Sequence, residues 1–177
     1  HVAGPARAAG CYRDAARSAP LDPRPSLQLG LRAIPRRPGG TGASSAQWRL
    51  RRAARLSLRA GNVTAAAAAL RALGESELAA AKWPAAVGTL SDVVRLEPSN
   101  CVASAALAEA HSAANAPRLA VQAMRAALAE DHQCVLAHHG LARLLGHLGE
   151  RAAALRHARA ALELQPFDAE CERTLQA

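Results

Sequence analysis

The stretch CVLAHHGLARLLGHLGERAAALRHARAALELQPFD, residues 134–168, decides the fold. It reads as two helices joined by a turn, and its pattern returns upstream at a fixed interval. Leu73, Leu107, Leu141 and Leu175 stand 34 residues apart. The same interval separates Gly74, Ala108 and Ala142, then Ala86, Ala120 and Ala154, then Val93, Ala127 and Ala161. Pro98 and Pro166 close the first and third units, with His132 in the equivalent place of the second. A helix–turn–helix pattern repeating at this period predicts a stacked array, each unit burying its apolar face on its neighbours, and not a single-core enzyme domain.

The interval, the leucine followed by a small residue, the alanines of the second helix and the closing proline together resemble the tetratricopeptide repeat family. The resemblance covers 67–100, 101–134 and 135–168. It implies an all-α fold, a right-handed superhelical solenoid of antiparallel helix pairs. Two places that are usually aromatic in the family are not so here. Glu77, His111 and Leu145 hold one, and Leu90, Met124 and Ala158 hold the other.

Half the residues are apolar and only 2% are aromatic, with alanine dominant. An alanine hides little area, at ~25 cal/mol per Å², so burial must come from repetition. The net charge of +8 is unevenly spread. Residues 1–60 carry twelve arginines against Asp14 and Asp22, a net +10, whereas residues 61–177 are slightly acidic. Four cysteines, Cys11, Cys101, Cys134 and Cys171, match no metal-ligand spacing. Successive repeat junctions are expected a helix-pair width apart, beyond the ~7 Å Cα limit for a disulfide. The thiols therefore read as reduced, in a cytoplasmic protein.

Ahead of the clear repeats, residues 6–30 keep fragments of the same spacing in Ala8, Tyr12, Ala15 and Pro20, and in Leu29-Gly30. Residues 1–66 thus read as a degenerate, interrupted repeat. The interruption is PRRPGGTGASS, residues 35–45, where proline and glycine exclude a packed helix. A basic amphipathic helix is expected over 46–60, capped by Ser44 or Ser45 and ended by Gly61. Arg51, Arg52, Arg55 and Arg59 gather on one side of it, with Leu50, Ala53, Ala54 and Leu58 mostly opposite. Residues 169–177 start a further helix, so both ends read as cuts through a longer array, open to self-association through uncapped faces.

Catalytic signatures are missing: no glycine-rich phosphate loop, nucleophile elbow or His-Glu-x-x-His helix occurs. His132, Cys134, His138 and His139 bridge a loop and a helix start, and the adjacent histidines point about 100° apart, so no metal site is expected. Asn62-Val63-Thr64 has the form of a glycosylation sequon and reads as a turn and helix cap. No cofactor and no enzyme activity are predicted.

The family resemblance implies that first helices line a concave face that grips an extended peptide or a helix of a protein partner. That face holds Arg71, Glu75, Leu78, Glu109, Ser112, Leu136, His139, Arg143 and His147. Some family members clamp the acidic tail of heat-shock chaperones with cations on these helices. Only Arg71 matches here, while Ala106, Leu136 and Gly140 stand at the other clamp places, so a chaperone tail is not expected. The reading is a non-catalytic interaction scaffold. Its alternative is electrostatic binding of nucleic acid or anionic membrane by the arginine-rich helix.

Overall fold

Alanine, leucine, arginine and glutamate fill the segments between turns, and all four are strong helix formers. The computed structural model describes residues 43–165, together with residues 13–15, 22, 24, 27, 28 and 31. Between 43 and 165 the helices are α1 (Ala43–Arg59), α2 (Val63–Ala79), α3 (Trp83–Leu96), α4 (Cys101–Ala113), α5 (Pro117–Glu130), α6 (Val135–His147) and α7 (Arg151–Leu164). Among the described residues there is no strand. Most of the fragmentary repeat at 6–30, most of the proline- and glycine-rich loop and the helix expected over 169–177 lie outside the described residues.

The boundaries have local causes. The Asn62 side chain accepts a hydrogen bond from the Ala65 amide at 3.0 Å and caps α2, and Asn100 does the same for α4 through Ala103 at 3.1 Å. Thirty-four residues after Asn100, the Cys134 sulfur accepts from the Ala137 amide and caps α6. Each cap satisfies an amide that the first helical turn leaves without a partner. Helix α1 begins at Ala43, so Ser44 and Ser45 stand inside its first turn and do not precede it as caps. Pro117 opens α5, where its missing N–H costs nothing.

Inside each helix pair the chain reverses through one left-handed residue: Ala81 (φ 56°), Asn115 (φ 59°) and Gly149 (φ 79°). These are equivalent positions, 34 residues apart. Glycine and asparagine tolerate that conformation, whereas the alanine Cβ is strained in it. We expect Ala81→Gly to stabilise the protein by about 0.5–1 kcal/mol, after allowing for the greater freedom of glycine in the unfolded chain. The check is thermal melting followed by circular dichroism, where a lowered midpoint would count against strain at this turn.

The chain forms two compact units, His1–Leu96 and Glu97–Ala177. In the first, α2 packs against both α1 and α3. The approach of α2 to α3 is close: a Cβ added at Gly74 would lie 2.6 Å from Cγ of the fully buried Leu90. That contact explains the glycine after Leu73. In the second unit α4 packs against α5 and α6, and α6 also packs against α5 and α7. The core there joins Leu141, Leu144 and Leu145 to Val121, Met124 and a set of buried alanines that includes Ala120 and Ala154.

One expectation is overturned. Cys101 and Cys134 form a disulfide, with their Cα atoms 6.0 Å apart. The helix-pair spacing used to exclude this bond is a distance between axes. Cys101 is the first residue of α4 and Cys134 caps α6, and these two helices pack directly on each other. Residues on facing sides of neighbouring helices come nearer than the axes do. The bond therefore ties the starts of two consecutive first helices.

Candidate functional site

In the first unit the chemistry centres on a buried carboxylate. Glu77, on α2, is 0% exposed. Arg51 on α1 donates to its Oε1 at 2.8 Å, and the Thr89 hydroxyl on α3 donates to its Oε2 at 2.8 Å. A charge taken out of water is tolerable only when paired and hydrogen-bonded, and both conditions are met here by neighbouring helices. Alongside, Lys82 donates to Gln47 Oε1 at 3.0 Å, and the Gln47 amide nitrogen approaches the Ser76 hydroxyl at 3.5 Å. These polar side chains hold α1 and α3 to α2.

The four arginines of the basic helix consequently differ from one another. Arg51 is paired with Glu77. Arg52 lies over the Trp48 ring, 5.6 Å from its centroid, in a cation–π arrangement. Arg55 and Arg59 are exposed, and Arg59 sits in the last turn of α1, where a cation suits the helix dipole. Leu50, Ala53 and Ala54 are buried as the periodicity requires, but Leu58 remains half-exposed.

Arg71 and Glu75 both lie on α2 and pair with each other at 2.6 Å, one turn apart. Leu78, further along α2, is half-buried. In the second unit, Leu136, His139, Arg143 and His147 follow at intervals of three and four along α6 and so share one side of that helix. Leu136, Arg143 and His147 are exposed and His139 is half-buried. Glu109 (exposed) and Ser112 (half-buried) stand on α4, the first helix that packs beside α6. Glu109 and Arg143 are equivalent positions of adjacent repeats, so the first helices α4 and α6 carry opposite charges at this place.

His138 and His157 meet between α6 and α7, with their Nδ1 atoms 3.1 Å apart. His138 Nε2 lies 3.2 Å from the His132 carbonyl, which can only accept. A neutral His138 therefore carries its proton on Nε2 and accepts at Nδ1, which makes His157 the Nδ1 donor. Burial holds the His157 imidazole below its ordinary value of 6.5, and the charges of His138, Arg125 and Arg156 act in the same direction. Among the described residues no group of three or more histidine, cysteine or acidic side chains is placed to hold a metal ion.

No protein-family model matches the chain, and no curated protein matches it in sequence. Solved structures do match in fold. MamA 41-end from Desulfovibrio magneticus RS-1 superposes with a TM-score of 0.73 at 20% identity, over 94% of this chain and 89% of that one. YrrB, described as a tetratricopeptide protein with an unusual peptide-binding site, gives 0.68 at 17% identity, over 94% and 81%. The fold is the tetratricopeptide fold. The first tetratricopeptide domain of Spaghetti (RPAP3), solved with the HSP90 peptide SRMEEVD, superposes with a TM-score of 0.58 at 20% identity, over 62% of this chain and 87% of that one.

Sequence reading missed the Glu77 site. Its signal was a glutamate beside the apolar Leu73-Gly74 pair, at the place where the third repeat has Leu145.

Proposed function

We propose that this chain is a non-catalytic interaction scaffold that holds a peptide or helix of a protein partner against its first helices. The observation that carries this reading is the tetratricopeptide fold, shared with YrrB and with a repeat domain bound to a peptide. On α4 and α6, the residues Glu109, Ser112, Leu136, His139, Arg143 and His147 offer an apolar contact flanked by charge and hydrogen-bonding groups. Arg143 presents a planar fork that suits a partner carboxylate, and Glu109 supplies an acceptor one repeat away.

A chaperone tail is not the partner we propose. Ala106 and Gly140, at two of the clamp places, are buried and carry no cation, and Leu136 at the third is an exposed aliphatic side chain. No helix among the described residues is long and apolar enough to cross a membrane. The Cys101–Cys134 disulfide does not favour a cytoplasmic location, since disulfides persist chiefly in oxidising compartments.

We expect Arg143→Glu to weaken partner capture by about tenfold with helicity unchanged, since one desolvated charge pair replaced by a like-charge contact costs at least that much. The check is a quantitative pull-down beside a circular dichroism spectrum. Equal capture by the variant would remove Arg143 from the binding face.

A further inference from the structure

A second surface, in the first unit, shares no residue with the face that the scaffold reading uses. In the first unit, Arg51, Ala54, Arg55 and Leu58 of α1, Leu70 of α2, and Asp92, Arg95 and Leu96 of α3 enclose a groove of about 560 Å³. That is within the ~300–1,000 Å³ of typical ligand sites. Its floor is aliphatic: Leu58 is 47% exposed, and Leu70 and Leu96 are each only partly covered. Its walls are cationic. Helix α1 contributes Arg51 and Arg55 to the lining and carries no acidic residue.

The wall charges are arranged, not merely abundant. Arg51 is fixed by its bond to the buried Glu77, which leaves the remaining guanidinium donors available in a set orientation. Asp92, the acidic member of the lining, is paired with Arg95 one turn along its own helix. Arg55 stands exposed on the α1 wall. An occupant thus meets leucines below and guanidinium groups at the side.

We propose that this groove docks an acidic amphipathic peptide segment, with aliphatic side chains on Leu58, Leu70 and Leu96 and carboxylates on Arg51 and Arg55. Charge complementarity selects an anion, and the aliphatic floor selects among anions. Single-stranded nucleic acid binds by stacking bases on aromatic rings, and among the described residues no aromatic side chain lines this groove. A membrane surface takes up apolar side chains that project into it, whereas Leu70 and Leu96 are half-buried and only Leu58 of the three is exposed.

The test is fluorescence anisotropy on the full chain with a labelled short peptide that alternates leucine and glutamate. Three further probes accompany it: the same peptide with lysine in place of glutamate, a single-stranded RNA, and vesicles containing phosphatidylserine. Saturable binding of the acidic peptide is expected, with a loss of about tenfold or more in Arg55→Glu and in Leu58→Gln, and partial retention in Arg55→Lys. Both positions are exposed, so circular dichroism should show unchanged folding. Arg143→Glu, in the other unit, should leave this affinity untouched, which separates the groove from the scaffold face. The proposal is overturned if the acidic peptide does not bind or binds Arg55→Glu equally well. It is also overturned if RNA or vesicles, and not the peptide, are the probes whose binding depends on Arg55.

Discussion

Reducing the Cys101–Cys134 disulfide should lower the stability of the second unit by about 3–4 kcal/mol. The bond links residues 33 positions apart. Its principal effect is on the unfolded chain, whose closed loop has fewer conformations to lose on folding. That loss is large beside a total stability of roughly 5–15 kcal/mol for a domain, and larger still for a core built mainly from alanine. Two variants separate the cross-link from the cap. Cys101→Ser removes only the cross-link. Cys134→Ser removes it while keeping a side-chain oxygen to accept from the Ala137 amide, as the sulfur now does. Both should melt alike, at the midpoint of the reduced protein, and neither should respond to reductant. Identical melting of the unaltered chain with and without reductant would contradict the bond.

Breaking the Arg51–Glu77 pair from the arginine side should cost about 2–4 kcal/mol, measured for Arg51→Ala by chemical denaturation. The carboxylate would remain fully buried, with the Thr89 hydroxyl still donating to it. The arginine itself is 54% exposed, so water entering the vacated space softens the penalty and favours the lower end of that range. The reverse change is informative. Glu77→Leu installs the residue that the third repeat has at this place, and added to Arg51→Ala it should restore most of the lost stability by exchanging an orphaned charge for packed aliphatic volume. A cost below about 0.5 kcal/mol for Arg51→Ala would mark the pair as an ordinary surface contact.

The helix pairs were readable because their causes are local and periodic. Leucine-small pairs recur at one interval, Asn115 and Gly149 mark two of the reversals, and Pro117 opens a helix. The Ala81 reversal was hidden, since alanine gives no sign of a left-handed backbone, and only its register with Asn115 and Gly149 reveals it. The disulfide was hidden for a different reason. Its two cysteines are one position short of the repeat interval, and axis spacing says nothing of how closely facing residues approach. Glu77 needed Arg51, which stands on a different helix, and the periodicity of either helix alone does not pair the two. The binding face stands between these cases: periodicity puts Leu136, His139, Arg143 and His147 on one side of a helix, but what they bind is set by chemistry outside the chain.

The scaffold reading is tested most directly by site-resolved photo-crosslinking in the second unit. Leu136 on the first helix α6 and Leu119 on the second helix α5 are almost equally exposed, at 44% and 47%. A photoreactive residue at Leu136 should give a discrete adduct with a protein partner that Arg143→Glu diminishes, and the same residue at Leu119 should give none. Adducts formed at Leu119 and not at Leu136 would show that partners engage the opposite helices, and the account would fail.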